Sequence, residues 1–119
     1  MDIRKYCVEW DGQLTLMVEI DHDIVTAELL MQINFFWSNA RDRLEDAGGN
    51  VLVAVLKMLG QRCWQMVIAH GYNTQGLIRE FGNGVEGWPK MDGSNGFRIL
   101  DCEEIEFDES DITVDEIHH

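Results

Sequence analysis

Basic residues are the scarcest class of charge in this chain of 119. Nine Lys and Arg stand against 22 Asp and Glu, a net charge of −13. From Asp101 onward there are nine acids and no Lys or Arg, which leaves −4 on residues 1–100. A surface of this sign repels phosphates, so direct nucleic acid binding is not expected. Cysteines number three, Cys7, Cys63 and Cys102, odd and dispersed. That excludes a disulfide framework and fits a reducing compartment. No apolar run approaches the roughly 18 residues of a membrane span, and MDIRKYCVEW lacks the apolar stretch of a signal peptide. The expectation is a cytoplasmic protein without a membrane partner.

Nucleophile and metal signatures are missing too. There is no G-x-S-x-G elbow and no cysteine-protease signature. Of four histidines, two are terminal, leaving His22 and His70 as bases. Cys63 and His70 sit about 10 Å apart along one helix, too far for a single tetrahedral metal. Neighbours in Asp21-His22-Asp23 point to opposite faces of an extended chain. The C-terminal acids lack the EF-hand frame. The expectation is no metal, no cofactor and no catalytic residue.

What is present is an ordinary globular composition, 45% hydrophobic and 26% charged. At this length one domain with a real core is expected. Residues 3–20 alternate, with Tyr6, Val8 and Trp10 on one face and Leu14, Leu16, Val18 and Ile20 continuing at even positions. This reads as a β-hairpin. Opposed residues in a hairpin share a face, so Trp10 should pair with Leu14 across a bulged loop over residues 11–13, not a tight type I′ turn.

Asp23 or Thr26 caps the next helix. Leu29, Ile33, Phe36, Trp37, Ala40 and Leu44 then recur at helical spacing, as one helix stopped by Gly48-Gly49. A second helix over 51–70 follows Asn50. Leu52, Val55, Leu56, Leu59, Cys63, Met66 and Val67 form its apolar stripe, which Val53, Met58, Trp64 and Ile68 widen. Such a helix is central and covered from more than one side, with Gly71 taking the left-handed position after it. A short third helix follows Asn73, carries Leu77, Ile78 and Phe81, and ends at Gly82. Phe97–Asp101 reads as a strand. Ile105 and Phe107 keep its phase, with a bulge or break near Cys102. Residues 108–119 read as an acidic, frayed tail beyond a single domain of residues 1–107. The pattern is α+β: an N-terminal β-hairpin and C-terminal strand(s) form an antiparallel sheet, packed against two long helices and one short helix.

Between the third helix and the last strand lies GNGVEGWPKMDGSNG, with five of eleven glycines and the one proline. Its G-x-G-x-x-G spelling suggests a dinucleotide turn. That turn must follow a strand and open a helix. Here a helical segment precedes it, Pro89 disfavours helix at Trp88, and Glu86 has the wrong sign. The stretch reads as a long ordered connector with Trp88 plugging an apolar gap. Loops of this length also carry binding sites, and Trp88, Lys90 and Asp92 form its candidate patch.

The segments FFWSNARDRLEDAGGNVLVAVLKML, GWPKMDGS and ILDCEEIEFDESDITVDE resemble a family of short uncharacterised bacterial proteins, accessory products of proteobacterial chromosomes and mobile elements. The resemblance runs from Tyr6 to Asp115. It implies a shared fold unit of unknown function and carries no catalytic or binding residue with it.

Two functions remain. The first is a non-enzymatic interaction module with a protein partner. One form is a nucleic-acid mimic that offers Asp101, Glu103, Glu104 and Glu106 to a basic groove; a merely solubilising acidic end is the plainer reading. The second is a small-molecule binder or small enzyme with a pocket near Trp88 and His22 or His70 as the titratable group. A homodimer through the apolar helices is compatible with the sequence.

Overall fold

The structure, a computed structural model, describes residues 2–103 and 108–117. Strand β1 (Ile3–Trp10) and strand β2 (Leu14–Asp21) form the hairpin, and β3 (Phe97–Cys102) completes a three-stranded antiparallel sheet in the order β1-β2-β3. The helices are α1 (Ala27–Phe36), α2 (Ala40–Asp46), α3 (Val51–His70) and α4 (Thr74–Gly84). The α+β pattern therefore holds, with four helices in place of three.

Pairing in the hairpin follows the hydrophobic phase. Trp10 faces Leu14, Val8 faces Leu16 and Tyr6 faces Val18. Leu16, Val18 and Ile20 on the central strand are fully buried, because this face alone meets the helices. The loop has the three expected residues, yet a turn of I′ sign sits inside it. Asp11 and Gly12 have φ of 51° and 69°, and the Gln13 N–H donates to the Trp10 carbonyl at 2.9 Å. Gln13 is the added bulge residue. On β3 the bulge falls at Leu100, between the pairs Val18–Ile99 and Met17–Asp101. It returns Cys102 to the buried face and leaves Asp101 exposed. Ile105 and Phe107 lie outside the described residues.

The first long helix is in fact two. Thr26 caps α1 by accepting from the Leu29 N–H. After Phe36 the chain leaves the helix: Trp37 is extended and Asn39 is left-handed at φ 64°. Ser and Asn favour such breaks through local backbone bonding. The broken ends expose carbonyls that need donors, and the buried Asn34 with the half-buried Arg43 supplies them. Asn34, fully buried, donates through Nδ2 to the Ala40 carbonyl at 3.1 Å. The Arg43 guanidinium donates to Asn34 Oδ1 (2.7 Å), to the Asn34 carbonyl (2.8 Å) and to the Ser38 carbonyl (3.0 Å). The planar fork of arginine suits this three-acceptor arrangement.

Helix α3 has the expected limits. Asn50 accepts from the Val53 N–H, and Gly71 closes the helix at φ 68°. Val55, Leu59 and Cys63 are fully buried against the sheet and neighbouring helices. By length and composition this helix, with mean hydropathy 1.3 over 18 residues, could also cross a membrane, contrary to expectation; half of that window is buried within the fold. The wide stripe is not wholly covered. Val53 is exposed, and Ile68 is 59% exposed. Helix α4, capped by Asn73 accepting from Gly76 N–H, runs two residues further than expected, to Gly84.

The connector over residues 85–96 folds back along β3. Met91, fully buried, is the deepest plug, with Trp88 only half-buried. The Ile99 N–H donates to the Met91 carbonyl, the Gly93 N–H to the Phe97 carbonyl, and Asp92 bridges Arg98. The outer edge of β3 is thus covered. Among the described residues no strand pairs with the outer edge of β1. The described part of the expected tail contains a single 3-10 turn, Glu109–Asp111, capped by Asp108.

Candidate functional site

A groove of about 1100 Å³ opens between the hairpin, α3, the α1–α2 break and the connector. Its walls carry Trp10, Trp37, Trp64 and Trp88, all four tryptophans of the chain. Each arrives by a different route. Trp10 ends β1 on the helix-facing side, 56% exposed. Trp37 is the extended residue of the break, packed edge-on against Phe36 at 5.0 Å between ring centroids. Trp64 projects from the flank of α3, beside Met58 and Ile68. Trp88 comes from the connector with Val85.

Two glycines set the close approaches. Gly60 on α3 is buried; a Cβ there would meet Val8 Cγ1 at 3.0 Å and the Trp64 ring at 3.2 Å. Gly87, at φ +81°, lays its backbone on the break. A Cβ there would lie 2.5 Å from Trp37 and 2.6 Å from Phe36. No other residue fits both that conformation and that space.

The indole Nε1 atoms of Trp37 and Trp64 are buried and have no hydrogen-bond partner among the described residues. Buried tryptophan N–H groups ordinarily find an acceptor, so two orphans in one groove need explaining. The charge is also unlike the rest of the molecule. Arg43, Lys57 and Arg62 line the groove against Glu9 and Glu86. Three of the nine basic residues therefore gather where only two of the 22 acids stand.

Of the sequence candidates among the described residues, only Trp88 reaches the groove. Lys90 and Asp92 flank buried Met91 in the chain, are exposed, and do not line it. Asp92 Oδ1 accepts from the Ser94 N–H (2.9 Å) and hydroxyl (2.6 Å), which hold its carboxyl below the usual range. Asp101 accepts from the Thr74 hydroxyl at 3.4 Å, and Glu103 from the Thr15 hydroxyl at 2.9 Å. Glu104 and Glu106 lie outside the described residues. The dinucleotide-like glycines do not form a strand-to-helix turn, because Gly82 and Gly84 belong to the last turn of α4.

The histidines stand elsewhere. His22 Nε2 is 2.7 Å from the Tyr6 hydroxyl, and exposed His70 lies against Tyr72. Neither lines the groove. Burial pushes the Cys63 thiol up, and burial with the carboxylates of Asp101 and Glu103 pushes Cys102 up to about 11. Cys7 is exposed. Among the described residues, no three His, Cys, Asp or Glu side chains gather as a metal site requires. What the groove can do chemically is stack, exclude water and attract negative charge.

A small α+β unit with a tryptophan-lined groove between sheet and helices is the class these features define. Within it, the chain belongs to the family described as Protein of unknown function (DUF2528), whose model matches residues 15–114. It is similar to the Lambda prophage-derived protein ea10 of Escherichia coli O6:H1 (strain CFT073), 45% identical over 118 residues, 95% of this chain and 96% of that one. It is equally similar, with the same coverage, to Protein ea10 of Escherichia phage lambda. The resemblance to an uncharacterised family near mobile elements is thereby established. No solved structure matches the chain.

Proposed function

We propose that this is a non-enzymatic protein-interaction module, cytoplasmic, whose groove takes an extended segment of a protein partner. The segment presents apolar side chains to the tryptophans and carboxylates to Lys57 and Arg62. The observation that carries this reading is the convergence of all four tryptophans on one open groove. Tryptophans anchored in a partly open pocket are the usual energetic centre of a protein interface. The phage and prophage relatives support an accessory role for a mobile element. A mimic built on Asp101, Glu103, Glu104 and Glu106 has less behind it, since Asp101 and Glu103 already serve the chain's own threonines.

Tryptophans beside cations also stack single-stranded bases. The net charge of −13 opposes a phosphate chain, which favours the peptide. Tryptophan emission decides between them. Peptides with alternate apolar residues and acidic ends should give a saturable shift that Trp88→Ala weakens. ATP and NAD should give none. A saturable response to oligothymidylate that fades with salt, with none to the peptides, would overturn the peptide reading.

A further inference from the structure

The fold treats the two outer edges of its sheet differently. The connector covers β3, where the Ile99 N–H donates to the Met91 carbonyl at 3.1 Å. Strand β1 runs for eight residues in unbroken register with β2, and among the described residues no strand pairs with its other side. Long regular edges are ordinarily guarded by proline, a bulge or charge. This one has no proline and no bulge, and its charges are placed to fit a second copy. We propose that β1 pairs antiparallel with β1 of a second copy about a two-fold axis at Cys7, joining two three-stranded sheets into one. The pairing goes beyond the groove reading and does not depend on it.

Backbone parity limits which residues can pair. The His22 N–H donates to the Asp2 carbonyl at 2.7 Å, and the Gln13 N–H to the Trp10 carbonyl at 2.9 Å. Even-numbered residues of β1 therefore turn their backbone groups towards β2. In an antiparallel ladder the alternate residues face the other way, so Ile3, Lys5, Cys7 and Glu9 offer N–H and C=O to the free edge. A second β1 must oppose odd residues to odd residues.

Charge picks one register from these. With Cys7 opposite its own copy, Lys5 stands opposite Glu9 of the second copy, and the axis makes that pair twice. Directly opposed residues share a face, so the charges meet. On the helix-facing side Tyr6 meets Val8, and Arg4 meets the exposed ring of Trp10. Sliding the strands by two residues in either direction sets Glu9 against Ile3 or Cys7 and loses the ion pairs. Lys5 and Glu9 are both exposed. Among the described residues the ion pair on this strand is Arg4 with Asp2, so Lys5 is unpaired although Glu19 faces it across the hairpin. Glu9 accepts only a long contact, 3.8 Å, from the Cys7 thiol. The strand carries Arg4 and Lys5 against Glu9, in a chain of −13. Two copies thus approach through a segment that repels less than the rest of the surface.

Sedimentation of the full chain tests the pairing, with circular dichroism to confirm folding. Wild type should be a dimer at about 100 μM. Lys5→Glu alone and Glu9→Lys alone each set like charges opposite one another twice. Each should raise the dissociation constant about tenfold. An equimolar mixture of the two variants should restore wild-type affinity, because both pairs in the mixed dimer are again of opposite sign. A role of either residue within its own fold would not be rescued by mixing. Cysteine cross-linking reads the register. Opposed hydrogen-bonded residues have Cα atoms about 5.5 Å apart, within a disulfide's reach. Mild oxidation at alkaline pH should link wild type through Cys7, since Cys63 and Cys102 are buried. In a Cys7→Ser background, Lys5→Cys should link to Glu9→Cys and not to itself.

A wild type that is monomeric at that concentration, or a dimer unmoved by either charge reversal, would overturn the proposal. So would variants whose mixture stays as weak as each alone, or a Lys5→Cys chain that links to itself. None of these outcomes touches the groove reading, which stands or falls on the peptide titration.

Discussion

Two flanks of α3 carry similar residues in opposite circumstances. Val55, Leu59, Cys63 and Met66 are sealed to between 0% and 4% exposure by the sheet and the other helices. One flank round, Met58 and Trp64 are half-buried, and Ile68 is 59% exposed. The first flank has all the cover a small domain can supply. The second has apolar surface that the fold does not use, placed beside three more tryptophans from distant parts of the chain. Apolar surface kept open is costly for solubility, and a contiguous patch of it marks an interaction site. The sealed flank reports on stability, and the open flank on recognition.

The largest effect should therefore come from the sealed flank. Leu59→Ala removes a fully buried side chain at the helix–sheet contact. It should cost about 2–5 kcal/mol by denaturant titration. Lys57→Ala, exposed on the same helix, should stay within about 0.5 kcal/mol. Equal losses at the two positions would show that the faces of α3 are misassigned.

Next comes the break that presents Trp37. Asn34→Ala deletes both the acceptor for Arg43 and the donor to the Ala40 carbonyl. Leaving buried groups unpaired should cost about 1–3 kcal/mol for each group stranded. Arg43→Lys should not restore the knot, because an ammonium cannot reach three divergent acceptors. It should also shift Trp37 emission. An Asn34→Ala protein with wild-type stability and an unaltered emission maximum would show that the knot does not hold the break.

Helix limits and hairpin phase were legible in the residues, because Asn50, Asn73, Thr26 and Gly71 act on backbone groups beside them. The break was not. Ile33, Trp37, Ala40 and Leu44 satisfy helical spacing whether or not the helix is continuous. Only Ser38-Asn39 and a buried Asn34 distinguish the two, and burial is a tertiary fact. The groove was even less legible, since Trp10, Trp37, Trp64 and Trp88 share no local motif. The usable hint was the excess width of the α3 stripe. It pointed to extra cover, where the structure has an opening. Trp88 lines the groove, while its neighbours Lys90 and Asp92 do not.

Alkaline pH sharpens the comparison through the buried thiols. Cys102 binds its proton more tightly folded than unfolded, with its value raised from 9.0 to about 11. Cys63 is raised in the same sense by burial. The stability they contribute is complete below pH 9.0, where the unfolded thiols are also protonated. It is lost as pH rises from there, through about 11 at Cys102, because the unfolded state then releases protons that the folded state keeps. Melting temperature should fall over that range, and Cys102→Ala should flatten the fall. An identical slope in the variant would remove Cys102 from the account. Exposed Cys7 should alkylate and buried Cys63 should not, and Cys7 should react slowly at neutral pH because desolvation and the Glu9 carboxylate raise its thiol.

The smallest effect on stability should come from the open flank, and there recognition separates from folding. Trp64→Phe removes an indole whose N–H is buried without an acceptor. Two terms oppose each other. The smaller ring gives up some apolar contact with Gly60 and Val8, which surround Trp64 in the groove floor. The same change abolishes a desolvated donor, whose orphaning costs about 1–3 kcal/mol. Both terms are of similar size, so the unfolding free energy should move by less than about 1 kcal/mol in either direction. Binding should respond differently, because the occupant loses part of the ring surface on which it stacks. Affinity for the acidic apolar peptide should fall about fivefold to tenfold, as for a trimmed aromatic anchor at an interface. Calorimetric titration beside denaturant unfolding measures both. If Trp64→Phe unfolds as easily as Leu59→Ala, the flank is part of the core and the distinction between the two sides of α3 collapses. If stability holds and affinity falls, the uncovered tryptophans are kept for a partner.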